Sequence, residues 1–289
     1  MSYSLFLFIP HHTLIIHIKI KNMKITIIGS GNMGGAIAKG LAQGSLFEAK
    51  DITCTAITDA TLEKMRNINA EFNLTHDNIS AVKDADIIVI AVKPWRVELI
   101  IEEIKPFLQL DKQIIVSIAA GISFETLNML LTKSATLKPQ ISPVIFRVIP
   151  NTAIEVKSSM TFISAFNASK EQIELIMNIF NELGNAILIE ERLMDAGTAL
   201  ASSGIAFALR YIRAAIEGGV ELGFYPKQAQ EIVVHTVKGA IDLLLENKTN
   251  PETEIDKVTT PGGITIKGLN EMELSGFTSA VIRGLKASK

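Results

Sequence analysis

Residues 24–35 read Lys-Ile-Thr-Ile-Ile-Gly-Ser-Gly-Asn-Met-Gly-Gly, and this stretch decides the fold. The run 24–28 is apolar, β-branched and stopped by glycine, which marks a buried strand leaving through a tight turn. Residues 33–43 then carry apolar side chains at helical spacing. Strand, Gly29-x-Gly31-x-x-Gly34 turn and helix together open a dinucleotide-binding unit. The first glycine permits the turn, the second lets backbone approach a pyrophosphate, and the third lets helix and strand pack closely. The helix start adds amide donors and a positive dipole end. We therefore expect Gly29, Gly31, Asn32, Met33 and Gly34 to bind a dinucleotide.

The alternation continues outward. Residues 52–58 are strand-like and 62–71 helical. Residues 86–92 (DIIVIAV) are too short for a helix and rich in β-branching, so they read as a buried parallel strand. Residues 97–108 are helical, and 113–119 and 144–149 are further strands. Strands alternating with helices give an α/β fold, a Rossmann-type doubly wound sheet. After about residue 190 the texture changes. Residues 192–224 hold no proline and read as one long helix or two abutting ones, rich in small residues from Ala196 to Gly204. A helix over 226–246 follows, with Pro226 in its first turn. After a turn at 247–251, shorter helices cover 261–274 and 277–286. The expected organisation is a dinucleotide-binding domain over 23–190 and an all-helical domain over 191–289. Residues 1–22 are interrupted by Pro10, His11 and His12. We expect them to be a non-native or disordered extension ahead of an initiator at Met23.

The chain has 289 residues, with 28 Lys+Arg against 30 Asp+Glu, and such a balance argues against nucleic acid as a partner. Hydrophobic residues make up 48%, enough for a sizeable core. One cysteine, Cys54, excludes an internal disulfide and a cysteine-based zinc site. Only His76 and His235 lie beyond the first 17 residues, so no metal is expected. There is no secretory signal and no run of roughly 18 consecutive apolar residues, so neither export nor a membrane partner is expected. The expected location is cytoplasmic.

The chemistry narrows by elimination. The residues four beyond Tyr3, Tyr211 and Tyr225 are Leu7, Ala215 and Ala229, so no Tyr-x-x-x-Lys pair exists. Residues 185–226 contain no lysine that could serve as an inter-domain acid or base. His235 reads as an ordinary helix residue. A nicotinamide site without a strong acid or base suits an imine, which is its own electrophile once protonated. At the end of the second strand, Thr58 and Asp59 stand where an acid bonds ribose hydroxyls and repels a 2′-phosphate. Lys64 and Arg66 follow closely and either attract one or are solvated helix residues. NADPH and NADH both stay open.

Residues 258–273 read VTTPGGITIKGLNEME. Hydroxyls, a proline and two glycines lead straight into a helix whose exposed amides suit a carboxylate. Thr265 falls in its first turn. The plainer alternative is an ordinary cap from Thr259 or Thr260.

With this stretch the chain resembles the pyrroline-5-carboxylate reductase family from Met23 to about Ala287. The likeness also rests on Gly29–Gly34, on Ala91-Val92-Lys93-Pro94, on Ser117-Ile118-Ala119-Ala120-Gly121, on Pro150-Asn151-Thr152, and on the regions 203–207 and 236–240. The resemblance implies that NADPH, or NADH, lies near Val92, Lys93, Pro94, Ala119, Ala120 and Gly121. It implies that the substrate carboxylate sits on amides around Thr260, Gly262, Gly263 and Thr265, with the catalytic Thr265 hydroxyl on the ring nitrogen. Hydride then passes from nicotinamide C4 to imine C5, giving L-proline. It further implies self-association as a domain-swapped dimer through the helical domain, and higher assembly. Four positions depart from the family: Ile205 and Phe207 replace proline and tyrosine, Trp95 replaces glutamine, and Lys257 replaces asparagine. Two other readings stay open, a reductase of another imine or ketone and a non-catalytic nucleotide-binding regulator.

Overall fold

The runs Ile25–Ile28, Ile87–Ile90 and Ile114–Ser117 are buried along their whole length, as strands covered by helices on both faces must be. The computed structural model describes residues 23–133 and 142–289; the extension expected over 1–22 lies outside them. Strands and helices alternate: β1 (Ile25–Ile28), α1 (Asn32–Ala42), β2 (Ile52–Thr55), α2 (Asp59–Ile68), β3 (Asn73–Thr75), α3 (Asn78–Lys83), β4 (Ile87–Ile90), α4 (Val97–Ile104), β5 (Ile114–Ser117), α5 (Phe124–Thr132) and β6 (Val144–Ile149). Then come β7 (Ser159–Phe166), α6 (Lys170–Asn181) and β8 (Gly184–Leu188).

The sheet order is β3-β2-β1-β4-β5-β6-β7-β8. Every neighbouring pair is parallel except β6 and β7, where Ile145 faces Phe166 and Ile149 faces Phe162. Side chains alternate between two cores. Ile25, Ile27, Val89, Val116 and Phe146 face α1 and α6, while Ile28, Ile88, Ile90, Ile115 and Ile145 face α3, α4 and α5. The strands expected to reach 58, 92 and 119 stop at Thr55, Ile90 and Ser117. There the chain leaves the sheet to form the loops of the site.

From Glu191 onward the described chain is helical. Helix α7 (Met194–Gly197) runs through a π-helical turn (Thr198–Ser203) into α8 (Gly204–Glu221). Helices α9 (Pro226–Asn247), α10 (Pro251–Val258), α11 (Ile264–Leu274) and α12 (Phe277–Ala287) follow. The helix expected from 261 begins at Ile264, because Pro261, Gly262 and Gly263 form its entry turn and Gly262 takes a φ of 72°. This arm buries little against its own chain: Leu209, Leu222 and Leu274 are 60, 83 and 82% exposed. Among the described residues, the run Glu191–Glu221 is the one helical stretch long and apolar enough to cross a membrane.

Candidate functional site

The strand order reverses between β1 and β4, and the loops leaving the carboxyl ends of β1, β2, β4 and β5 line one crevice. Gly29 has a φ of 95°, and the amides of Gly29 and Ser30 donate to the Thr55 carbonyl at 3.2 and 2.8 Å. A Cβ on Gly29 would stand 2.8 Å from Val92 Cγ1 and 2.9 Å from the Ala91 carbonyl oxygen. One on Gly34 would stand 2.3 Å from the Gly29 carbonyl oxygen. One on Gly31 would meet nothing within 4 Å. That open space lies at the start of α1, where Gly31 is the N-cap and no side chain takes the first amides. Asn32 and Met33 open the helix, Asn32 exposed and Met33 half-buried. A free helix start under an open glycine fits a pyrophosphate.

Next to this turn, Thr58 caps α2 by accepting from the Thr61 amide at 3.3 Å. Asp59 is the first residue of α2, with its carboxylate in solvent. His76, just after β3, reaches it at 2.9 Å through Nε2, while Nδ1 lies 2.6 Å from the Ala56 carbonyl oxygen. The hydrogen bond to Asp59, then the one to Ala56, holds the His76 imidazole above its ordinary pKa. Sequence reading missed His76 because its strand is three mostly polar residues. Beneath the turn lies Cys54, whose thiol burial pushes up to about 11 against a smaller opposing effect from Ser30. That protonated thiol is a packing group.

On the other side of the crevice, Val92 and Pro94 are half-buried and Lys93 exposed, with Pro94 opening a short 3-10 turn. Trp95 follows, 79% exposed. Ala119 is buried, Ala120 is exposed, and Gly121 turns the chain with a φ of 75°. The structure thus brings Gly29–Gly34, Thr58, Asp59, Val92–Pro94 and Ala119–Gly121 to one edge.

Thr260, Gly262, Gly263 and Thr265 form a second group, at the entry to α11. Gly263 is the N-cap of α11 and no side chain caps this helix. The capping alternative therefore fails: the Thr259 hydroxyl donates back to the Ile255 carbonyl at 2.7 Å. The Gly263 amide donates to the Thr260 carbonyl at 3.0 Å. Thr265, half-buried, lies in the first turn among free amides. Lys257 does not turn to this loop; its ammonium pairs with Glu254 at 2.8 Å. A groove of about 410 Å³ along α9, lined by Lys227, Gln230, Glu231, Val234 and His235, gathers none of the expected residues.

Two junctions tie the helical arm to the sheet. Arg147, buried in β6, donates to Glu191 Oε1 at 2.8 Å, and the same oxygen accepts from the Phe124 amide at 2.6 Å. An arginine inside the apolar strand Val144–Ile149 was the signal sequence reading overlooked, because a buried cation needs a partner. Asn151 Nδ2 donates to the Ala201 carbonyl at 3.4 Å, and the Ser202 hydroxyl donates to the Pro150 carbonyl at 3.3 Å. The Pro150-Asn151-Thr152 motif therefore docks on the π-helical turn.

The family model for pyrroline-5-carboxylate reductase dimerisation matches residues 191–289, and that for NADP oxidoreductase, coenzyme F420-dependent, matches 24–121. The chain is 38% identical over 282 residues to pyrroline-5-carboxylate reductase 2 of Dictyostelium discoideum, covering 92% of this chain and 91% of that protein. It is 36% identical over 269 residues to the pyrroline-5-carboxylate reductase of Aquifex aeolicus, covering 92% and 95%. Among solved structures, a Coxiella burnetii pyrroline-5-carboxylate reductase aligns with a TM-score of 0.83 at 28% identity, covering 92% and 96%. The Plasmodium falciparum pyrroline carboxylate reductase with NADP bound aligns with a TM-score of 0.81 at 26% identity, covering 92% and 95%.

Proposed function

The chain belongs to the pyrroline-5-carboxylate reductase family, and from that premise we propose how its own residues carry out the reduction of L-1-pyrroline-5-carboxylate to L-proline. The protein is an NAD(P)H-dependent oxidoreductase. When bound, the reduced nicotinamide supplies the hydride that turns the imine carbon into an amine carbon. Gly29, Gly31 and the α1 amides hold the pyrophosphate. Thr58 and Asp59 meet the adenosine ribose. Val92, Lys93, Pro94, Ala119, Ala120 and Gly121 wall the nicotinamide end.

The observation that carries the substrate assignment is the uncapped start of α11. Its amides, with Thr260, Gly262 and Gly263, receive the pyrroline carboxylate. The Thr265 hydroxyl bonds the ring nitrogen and stabilises the N–H form as the double bond is lost.

Our reading assigns these two groups to different chains of a dimer, which assembles further, with 23–190 as the dinucleotide unit and 191–289 as the exchanged unit. Support comes from the apolar side chains that the helical arm leaves bare and from the loop's hydrogen bonds, which stay within it. The reading includes a cytoplasmic location, which fractionation of host cells checks.

The test is oxidation of NADPH and of NADH, followed by absorbance, with pyrroline-5-carboxylate. Turnover is expected; a protein that binds dinucleotide and turns over with neither would overturn the reading. Co-expressing a Gly31→Val chain with a Thr265→Ala chain tests the shared site. Mixed dimers regain activity if each site takes its two halves from two chains, and stay inactive if each chain is self-sufficient.

A further inference from the structure

Asp59 stands where a carboxylate repels a 2′-phosphate, yet His76 reaches it. The two partners of the His76 ring are the Ala56 carbonyl, 2.6 Å from Nδ1, and the Asp59 carboxylate, 2.9 Å from Nε2. A carbonyl oxygen only accepts, and so does an ionised carboxylate. Both ring nitrogens must therefore donate, and the ring in this geometry is an imidazolium. We propose that His76 is a specificity-determining residue: its protonated ring neutralises Asp59, which lets the adenosine end accept a 2′-phosphate, and its deprotonation turns the same site toward the unphosphorylated ribose. The inference rests on the dinucleotide reading of the crevice given above.

The surroundings leave this role to one pair. On α2, Glu63 and Arg66 pair with each other, and Lys64 lies between them. Asp77, next along the chain, turns its carboxylate to the Ile79 and Ser80 amides at 2.9 and 3.1 Å. Lys83, at the far end of α3, lies 5.4 Å from the centre of the Phe107 ring. Among the described residues Asp59 is the one charged group paired with the His76 ring. The ring is half exposed, so protons exchange freely with solvent.

The sign follows. Asp59 favours the protonated ring, so the neutral pair persists above the ordinary histidine pKa of about 6.5 and disappears as pH rises through the raised value. Preference for the phosphorylated dinucleotide must then fall with rising pH. Affinity for the unphosphorylated one stays nearly level, because a ribose hydroxyl can donate to Asp59 in either state. One unit charge a few ångströms away in near-aqueous surroundings changes binding by about fivefold.

The experiment is calorimetric binding of NADP⁺ and NAD⁺ to the full chain between pH 6.5 and 9, with His76→Gln and Asp59→Asn alongside. The 2′-phosphate titrates near 6, and that contribution is common to all three proteins. In the parent the NADP⁺/NAD⁺ affinity ratio should drop about fivefold across the range. His76→Gln should show the low ratio throughout, and Asp59→Asn, which removes the repelling carboxylate whatever the state of the ring, a ratio above the parent's at pH 9. Equal ratios and equal pH profiles for the parent and His76→Gln would overturn the role of His76 while leaving the dinucleotide site intact. Failure of the parent to bind either nucleotide would overturn the site itself and the proposal with it.

Discussion

Gly31 and Gly34 occupy the same motif but answer to different neighbours. Gly31 borders open space, so a side chain there would meet ligand and no protein atom. We expect Gly31→Val to fold with an unchanged melting temperature and to lose most of its dinucleotide affinity in a titration. Gly34 faces the Gly29 carbonyl, Ala91 and Ile27. Gly34→Ala should therefore destabilise the fold itself, by roughly 1–3 kcal/mol in urea unfolding, as overpacking does. The motif assigns Gly31 to the ligand and Gly34 to helix–strand packing, and the neighbours of the two glycines agree. Thr265 makes the complementary case. Its hydroxyl lies at a helix start and holds no part of the core, so Thr265→Ala should keep the circular dichroism spectrum. Its kcat/KM should fall by about one to two orders of magnitude, the scale of losing one positioned hydrogen bond.

At the scale of single elements, how a helix begins tells what it is for. Helices α2, α3, α5, α6 and α10 start on Thr58, Asp77, Ser123, Ser169 and Asn250, whose side chains take the first amides. Helices α1 and α11, and with them the closing α12, start on glycine, and no side chain takes their first amides. This contrast was legible in the sequence as Gly-x-Gly and Pro-Gly-Gly. For α3 the cap has a pH signature. The Ser80 amide, with the Ile79 amide, holds the Asp77 carboxyl below the usual carboxylate range. Its contribution is complete above the ordinary value of about 4 and is lost as pH falls through the lowered one. Asp77→Asn should make stability less steep in that acid window, read from melting temperature against pH. The partner of Arg147 was not legible, because nothing near Glu191 in sequence points back to β6. Glu191→Ala strips a buried guanidinium of its partner and frees the Phe124 amide beside the loop after β5. We expect a loss of about 3 kcal/mol in urea unfolding, typical of breaking a buried pair from one side.

At the scale of the whole molecule, the sheet could be read in advance and the arm could not be placed. Runs such as Ile87–Ile90 must be buried whatever surrounds them, so β-branching alone locates them. The antiparallel β7 and the short β3 carry mixed polar residues, and their pairing depends on distant strands. Apolar residues along α8 and α9 say that something covers them without saying what. Leu209, Tyr211 and Val220 stay bare on α8, and Ile241 and Leu245 on α9. The sedimentation coefficient should therefore be that of a dimer or larger, and Leu209→Arg should shift it toward the monomer with a parallel loss of turnover. The apolar length of Glu191–Glu221 has the same origin, since that stretch also carries Arg192, Asp195, Arg210, Arg213 and Glu217. One further consequence lies in the π-helical turn Thr198–Ser203, which Asn151 and Ser202 pin to the sheet. Such a turn accommodates one residue more than an α-helix, and each helical residue advances the azimuth by about 100°. A single-residue deletion there would let the hydrogen bonding revert to α while the faces of α8 keep their bearing, whereas the same deletion within α8 would turn its later residues by that angle. The turn thus takes up one residue of slack between the two halves of the protein without turning the arm.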